Sequence, residues 1–373
     1  MIFRKFLMFA SRGTTPKFTL EVKSDNAGTS GTNQFTIPTT TGTYLYDYTT
    51  SDGQSGTGIT GDETITFASG AGTYEIYITG TFPYIYFDNG GDKLKLLRVL
   101  EWGDYGAGAT TQSRAFYGCT NLSSIASDVD NLNLIILGDI MFLNCSSLTS
   151  LPSGLILGSL TNGREMFHDC SLSSLPSGMT LGLVTDGTNM FLNNSLTSLP
   201  SGLILGSLTN GTNMFLNNSL TSLPAAMTLP SLTNGREMFH NCSLSSLPAS
   251  MTLPALTIGD TMFRDNLLTS LPSGMTLGLV TDGELMFFNN SLTSLPSGFT
   301  LASLTNGINM FNGNTIATAD YSQLLVDLES GNPNNSVTFH GGSSLYNATG
   351  KVARDILTGG VRLWTITDGG LEP

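Results

Sequence analysis

Apolar positions along this chain recur on a fixed ruler. Leu-Pro occurs at Leu151, Leu175, Leu199, Leu223, Leu247, Leu271 and Leu295, and Met-Phe at Met166, Met190, Met214, Met238, Met262, Met286 and Met310, each 24 residues after the last. An earlier Met-Phe starts at Met141, 25 residues before Met166. A constant period of this length marks a stacked array, because one such unit cannot bury its apolar face alone. Seven 24-residue units run from Leu148 to Thr315.

The first unit predicts the local structure of all seven. Leu148 to Leu151 reads as a short strand, stopped by Pro152, which has no N–H for a ladder. Ser153-Gly154 turns the chain, and Leu155 to Leu157 forms a second apolar stretch. Leu160, Gly163, Met166, Phe167 and Cys170 then fall three or four apart. That spacing predicts a short helical turn with Met166 and Phe167 inward and Arg164, Glu165, His168 and Asp169 outward. One strand and one helical turn per unit is leucine-rich-repeat logic and predicts a mixed α/β repeat solenoid. Stacked at about 4.8 Å per strand, seven units would span roughly 34 Å. Identical side chains would then form ladders, with Met and Phe as the core. A copper or haem site in the Met row is the lesser reading, since Met adapts well to gaps between repeating turns.

Cys119, Cys145, Cys170 and Cys242 all fall at the end of the expected helical turn, where other units carry Asn194, Asn218, Asn266, Asn290 and Asn314. Both residue types fit inside a tight turn and donate to backbone. The position therefore reads as structural, ahead of disulfides, and a zinc site lacks the C-x-x-C spacing.

Ala115-Phe116-Tyr117-Gly118-Cys119-Thr120-Asn121-Leu122-Ser123-Ser124-Ile125 resembles the A-F-x-G-C-x-x-L-x-x-I unit of BspA-like bacterial surface leucine-rich repeats. The Met-Phe-x-x-Cys/Asn-x-Leu form is similar to a related version in bacterial surface proteins and phage-encoded proteins. The resemblance covers about Ala115 to Thr315. It departs from the family pattern in carrying Leu-Pro-Ser-Gly where I-x-I-P is usual, which leaves the strand boundaries open.

The flanks do not repeat. Residues 1–16 read as a docking arm: Arg4 and Lys5 precede only Phe6-Leu7-Met8-Phe9-Ala10, short of the roughly 7–15 apolar residues of an export signal, and Met1 is expected to be retained. An ordinary first strand is the competing reading. Residues 17–92 read as an all-β, sandwich-like module with strands at Phe18 to Val22, Thr64 to Phe67 and Tyr74 to Ile78. Residues 93–147 are expected to cap the array and supply its irregular first repeats, with Lys93 to Trp102 as the first rung. The seven repeats occupy 148–315, and 316–373 form a C-terminal α/β cap. In that cap Asp320 is expected to cap a helix to about Ser330 with Leu324, Leu325 and Leu328 inward. A strand at Val337 to Phe339, a helix at Lys351 to Leu357 and a final strand at Val361 to Ile366 follow. The closing Trp364 to Gly370 is similar to the ends of phage-encoded repeat proteins.

Composition narrows the function. Charged residues make up 12% of the chain while Gly numbers 43, a balance suited to turn-rich β structure. A net charge of −13 without a basic stripe argues against nucleic acid as partner. No segment approaches the roughly 20 apolar residues of a membrane span. His168, His240 and His340 show no spacing that makes a triad with any of the many Ser residues, so no catalytic residue, metal or cofactor is expected and the chain reads as non-enzymatic. Asp186 and Asp282 sit in Thr-Asn/Asp-Gly turns, where calcium is the alternative to ordinary turn chemistry.

Variation among otherwise uniform units marks the expected binding face: Arg164, Glu165 and His168, then Leu192, Leu216, Arg236, His240, Arg264, Leu285, Phe288 and Ile308. Leu192, Leu216, Phe288 and Ile308 are expected to be exposed and to form a contact patch. The Ser/Thr-rich strand face, typified by Thr149, Thr197 and Thr221, is the competing surface. The functional expectation is a virion-surface, tail-fibre or adhesin protein that binds other virion proteins or a host-cell receptor, protein or glycan. A bacterial cell-surface adhesin is the alternative, and a homo-oligomer is compatible with either.

Overall fold

The computed structural model describes residues 16–373, so the docking-arm reading lies outside the described residues except for Pro16. Sheet and turn dominate, with two α-helices among the described residues and no closed barrel.

The N-terminal module carries β1 (Phe18–Lys23), β2 (Gln34–Ile37), β3 (Leu45–Thr50), β4 (Ser55–Ile59), β5 (Glu63–Thr66), β6 (Thr73–Thr81) and β7 (Leu96–Glu101). An antiparallel sheet runs β4-β3-β6-β1-β7, and β2 pairs with β5. Alternation explains β6, where Tyr74, Ile76 and Ile78 are buried and their neighbours are not. The strand β7 has two partners: it is antiparallel to β1, and it opens the array through the Ser123 N–H, which donates to Leu97 O at 2.9 Å. Aromatic packing crosses the same boundary, from Phe18 to Trp102 (5.8 Å between centroids) and on to Phe116 (5.7 Å).

A buried ion pair pins the module. Asp92 accepts from the N–H groups of Thr29, Ser30 and Thr36, while Lys95 Nζ donates to the carbonyls of Ser30, Gly31 and Gln34. Burial alone would raise the Asp92 carboxyl, but the bonds from Ser30 and Thr36 and the charge of Lys95 hold it below the usual carboxylate range. A depressed folded value means stability that is complete above the unfolded value, near 4, and is lost as pH falls through the folded one. Asp92→Asn should therefore cost about 2 kcal/mol at neutral pH and flatten the acid dependence of unfolding. Urea titrations at neutral and acid pH check this; a variant with the parent's acid slope would contradict it.

In the array, every Met and Phe of the Met-Phe pairs is at most 1% exposed. Their rings stack from Phe116 through Phe142 to Phe311, with centroids 5.2–5.8 Å apart and planes within 10°. The glycine before each pair lets the next rung's Met lie on backbone: a Cβ on Gly163 would stand 2.8 Å from Met190 Sδ.

The expected helical turn is absent. Residues 164–169 form successive tight turns, with Glu165 (φ 55°) and Asp169 (φ 54°) left-handed. Alternate N–H groups leave the rung altogether: Gly163, Glu165, Phe167 and Asp169 donate to the carbonyls of Asp186, Thr188, Met190 and Leu192 at 2.9–3.1 Å. A helix would spend those donors within itself; here they tie each unit to the next. The strand is displaced as well. Parallel bridges link Asn162, Asp186, Asn210, Asn234, Ile258, Asp282 and Asn306, at the turn before Met-Phe, and no strand forms at Leu148 to Leu151. Units still bond there, as when Ser171 N–H donates to Leu148 O at 3.1 Å.

The Cys/Asn position acts as a second internal ladder. Asn218 Nδ2 donates to Phe191 O at 2.9 Å, and its Oδ1 accepts from Leu196 N–H at 3.0 Å. Asn194, Asn266, Asn290 and Asn314 repeat the pattern. The Cys145, Cys170 and Cys242 thiols donate to the equivalent Phe carbonyls at 3.2–3.4 Å. All four cysteines are free and buried. Burial pushes the Cys170 and Cys242 thiols up to about 12, which suppresses thiolate chemistry.

The C-terminal part continues the ladder before ending it. The short strand β8 (Asn306–Gly307) pairs in parallel with β9 (Thr338–His340), which pairs in parallel with β11 (Thr365–Thr367). The two-residue strands β10 (Leu345–Tyr346) and β12 (Gly370–Leu371) pair beside them. Helix α1 (Thr318–Gly331) buries Leu324, Leu325 and Leu328. Asp320 is not its cap: Oδ2 accepts from Leu295 N–H at 3.1 Å, tying the helix to the last repeat. Helix α2 (Ala348–Thr358) is capped by Asn347. Val361 and Leu363, expected in a final strand, are 80% and 59% exposed and precede it.

Candidate recognition edge

All charged side chains of the seven units fall at positions equivalent to 162–169, the turn that carries Met-Phe. Within each rung the turn brings positions equivalent to 164, 165 and 168 to one edge, exposed to different degrees, and the inter-rung bonds hold neighbouring rungs in register. Charged groups on adjacent rungs therefore meet.

The densest cluster spans three rungs. Arg236 pairs with Asp260 at 2.7 Å, and Asp260 also accepts from Thr261 Oγ1. His240 stands 3.5 Å from Glu237 and 3.3 Å from Asp265. Arg264 Nε donates to Asp265 at 3.0 Å, and its guanidinium lies 5.2 Å from the centre of the Phe288 ring. Burial raises Asp265, but the bond from Asn289 and the Arg264 charge prevail, so its carboxyl lies below the ordinary range. The cluster is thus a fixed arrangement of two guanidinium groups, an imidazole and an aromatic ring.

The other expected site residues fall at the same edge with different fates. Arg164 is exposed and paired with Glu165 at 3.2 Å, and His168 lies 3.4 Å from Asp169. These three sit apart from the Arg236 cluster. The expected exposed patch does not form: Leu192 is only 9% exposed, and Leu216, Leu285 and Phe288 are half-buried. Of these five apolar residues only Ile308 stays exposed, at 38%. The tight turn folds the residue after Met-Phe back along the stack, where a helix would have projected it. Leu285 also takes a left-handed φ of 55°.

Sequence reasoning missed Asp265 and read Asp260 only as one variable outer position among others, although these carboxylates organise the cluster. The signal lay in the 24-residue offsets: Asp260 occupies the position of Arg236 one unit on, as Arg264 does that of His240. Asp186 Oδ1 accepts from the N–H and hydroxyl of Thr188, and Asp282 Oδ1 from Glu284 N–H and Asn306 Nδ2, the work of turn residues. No group of three metal-ligating side chains occurs among the described residues. Among the same residues, no helix is long and apolar enough to cross a membrane.

Residues 109–197 match the family described as the BspA type Leucine rich repeat region, with six copies. No curated protein matches the chain. The matched segment takes in the stacked turns from the first irregular units through the second full repeat, and the same bonding continues to Asn314. Across residues 109–197 the chain carries a BspA-type leucine-rich-repeat region.

Proposed function

We propose that this chain is a non-enzymatic, adhesin-like surface protein whose repeats form a solenoid that presents the charged edge to a protein partner. The observation that carries the reading is the contrast between constant and variable positions. The Met, Phe and Asn ladders hold the stack, whereas the edge changes from Arg236 and His240 to Asp260 and Arg264, then to Glu284 and Phe288. Arg and aromatic side chains are the residue types that carry most of the energy in protein interfaces. Leucine-rich repeats serve as protein-interaction modules, and the BspA-type match favours display on a surface. In the finer form of the proposal that surface is a virion, where the chain serves as a tail-fibre or other surface component. A bacterial envelope would use the same edge in the same way.

The edge is testable by mutation. Arg264→Ser with Phe288→Ser should weaken attachment to intact bacterial cells by about tenfold or more, with the fold retained because no ladder residue changes. Adsorption of labelled protein measures it. Unchanged attachment by a folded double variant would sink the edge as the recognition surface. By contrast, replacing Leu192 would disturb packing as well as binding and is a poor probe.

A further inference from the structure

The edge is one side of each rung; another side carries no charge. The stretches equivalent to 154–161 contain no charged residue in any of the seven units, in a chain of net charge −13. Large aliphatic side chains stand out from this flank. Ile156 is 43% exposed, Leu183 53%, Ile204 55% and Leu279 54%. The Ser/Thr face, with Thr197 and Ser198 exposed, is also uncharged but has no such series.

We propose that this flank mates with a second copy of the chain, antiparallel, about a two-fold axis through the fourth unit at Ser231. Three observations converge on that occupant. Two polyanions approach at least electrostatic cost where neither presents a carboxylate. Leu183 and Leu279 occupy the same position two units either side of Ser231. An antiparallel two-fold therefore sets Leu183 of one copy on Leu279 of the other, twice, as a self-complementary interface requires. The dimensions also suffice: seven rungs of about 4.8 Å and six residues of about 3.3 Å cover about 1,300 Å² over two copies, toward the lower end for specific interfaces.

A neutral glycan fits less well. The threonine hydroxyls bordering the flank are already spent, Thr209 Oγ1 donating to Thr185 O at 3.0 Å and Thr233 Oγ1 to Thr209 O at 3.0 Å. The large side chains left standing out are aliphatic, with the smaller Thr180, Thr228, Thr252, Thr276 and Thr300 at the Ile156 position between them.

Sedimentation across the micromolar range and cysteine cross-linking of the full chain test the proposal. The native thiols are buried, so introduced cysteines report alone. Ser231→Cys should form a disulfide-linked dimer under mild oxidation. Leu183→Cys should link to Leu279→Cys in a mixture and not to itself. Leu183→Asp with Leu279→Asp should raise the dimerisation Kd by about tenfold or more without changing the melting temperature. A monomeric parent, or a dimer indifferent to the aspartates, would overturn the proposal. So would a monomer whose aspartate pair abolishes retention on a neutral polysaccharide, which would assign the flank to glycan.

Discussion

Phe215→Ala should cost about 3–5 kcal/mol, and Met214→Ala about 2–5 kcal/mol. Phe215 is fully buried, stacked 5.5 Å from Phe191 and 5.6 Å from Phe239, with no open edge into which the rungs can relax. Removing one ring, in unit three, interrupts the column between units two and four, whose backbones are each bonded to unit three at alternate residues. Collapse of the cavity would strain those bonds, so the loss belongs at the upper end for its type. Urea unfolding measures it. A Phe215→Ala variant within 1 kcal/mol of the parent would show that the ring column is not the core.

Asn218→Ala should cost about 2–5 kcal/mol, although it removes little apolar surface. The side chain supplies an acceptor to Leu196 N–H and a donor to Phe191 O and Phe215 O, all buried. Alanine leaves these groups with neither protein partner nor room for several waters. Asn218→Cys should cost less than half as much, because a thiol can keep the donor, as Cys242 does toward Phe215 O at 3.4 Å. The reverse change, Cys242→Asn, should stabilise by about 0.5–1.5 kcal/mol, since Leu220 N–H now faces only sulfur, a weak acceptor. The order Asn, Cys, Ala is the result to check by thermal melts of the three variants at each position. Equal costs for Cys and Ala would contradict the bonding scheme.

These two positions also show what a sequence of this kind reveals. The period, the Met-Phe core and the exchange of Cys for Asn follow from spacing alone, because a ladder needs the same side chain at the same offset. The turn geometry does not. Spacings of three and four suit both a helix and a pair of four-residue turns, and only the destination of the N–H groups distinguishes them. The left-handed residues were a usable sign: Asn189 and Asn193, and one unit on Asn213 and Asn217, stand four apart in pairs at positions where Asn is tolerated at positive φ. Misreading that turn put Leu192 outside when it lies inside. It also hid the uncharged flank, since Ile156 was grouped with Leu155 and Leu157 as one apolar stretch; the structure buries the two leucines and exposes the isoleucine. In the terminal regions, Asp320 looked like a helix cap by position and instead serves a backbone N–H one repeat away, a contact no local pattern announces.

The measurement that bears most directly on the recognition edge is hydrogen exchange of the full chain, free and attached to the cell or particle fraction that retains it. The account predicts slowed exchange in peptides spanning 236–241, 260–265 and 284–289, with Ser195 to Ser198 and its equivalents unchanged. Slowing confined to the Ser/Thr face, or to the N-terminal module, would contradict it.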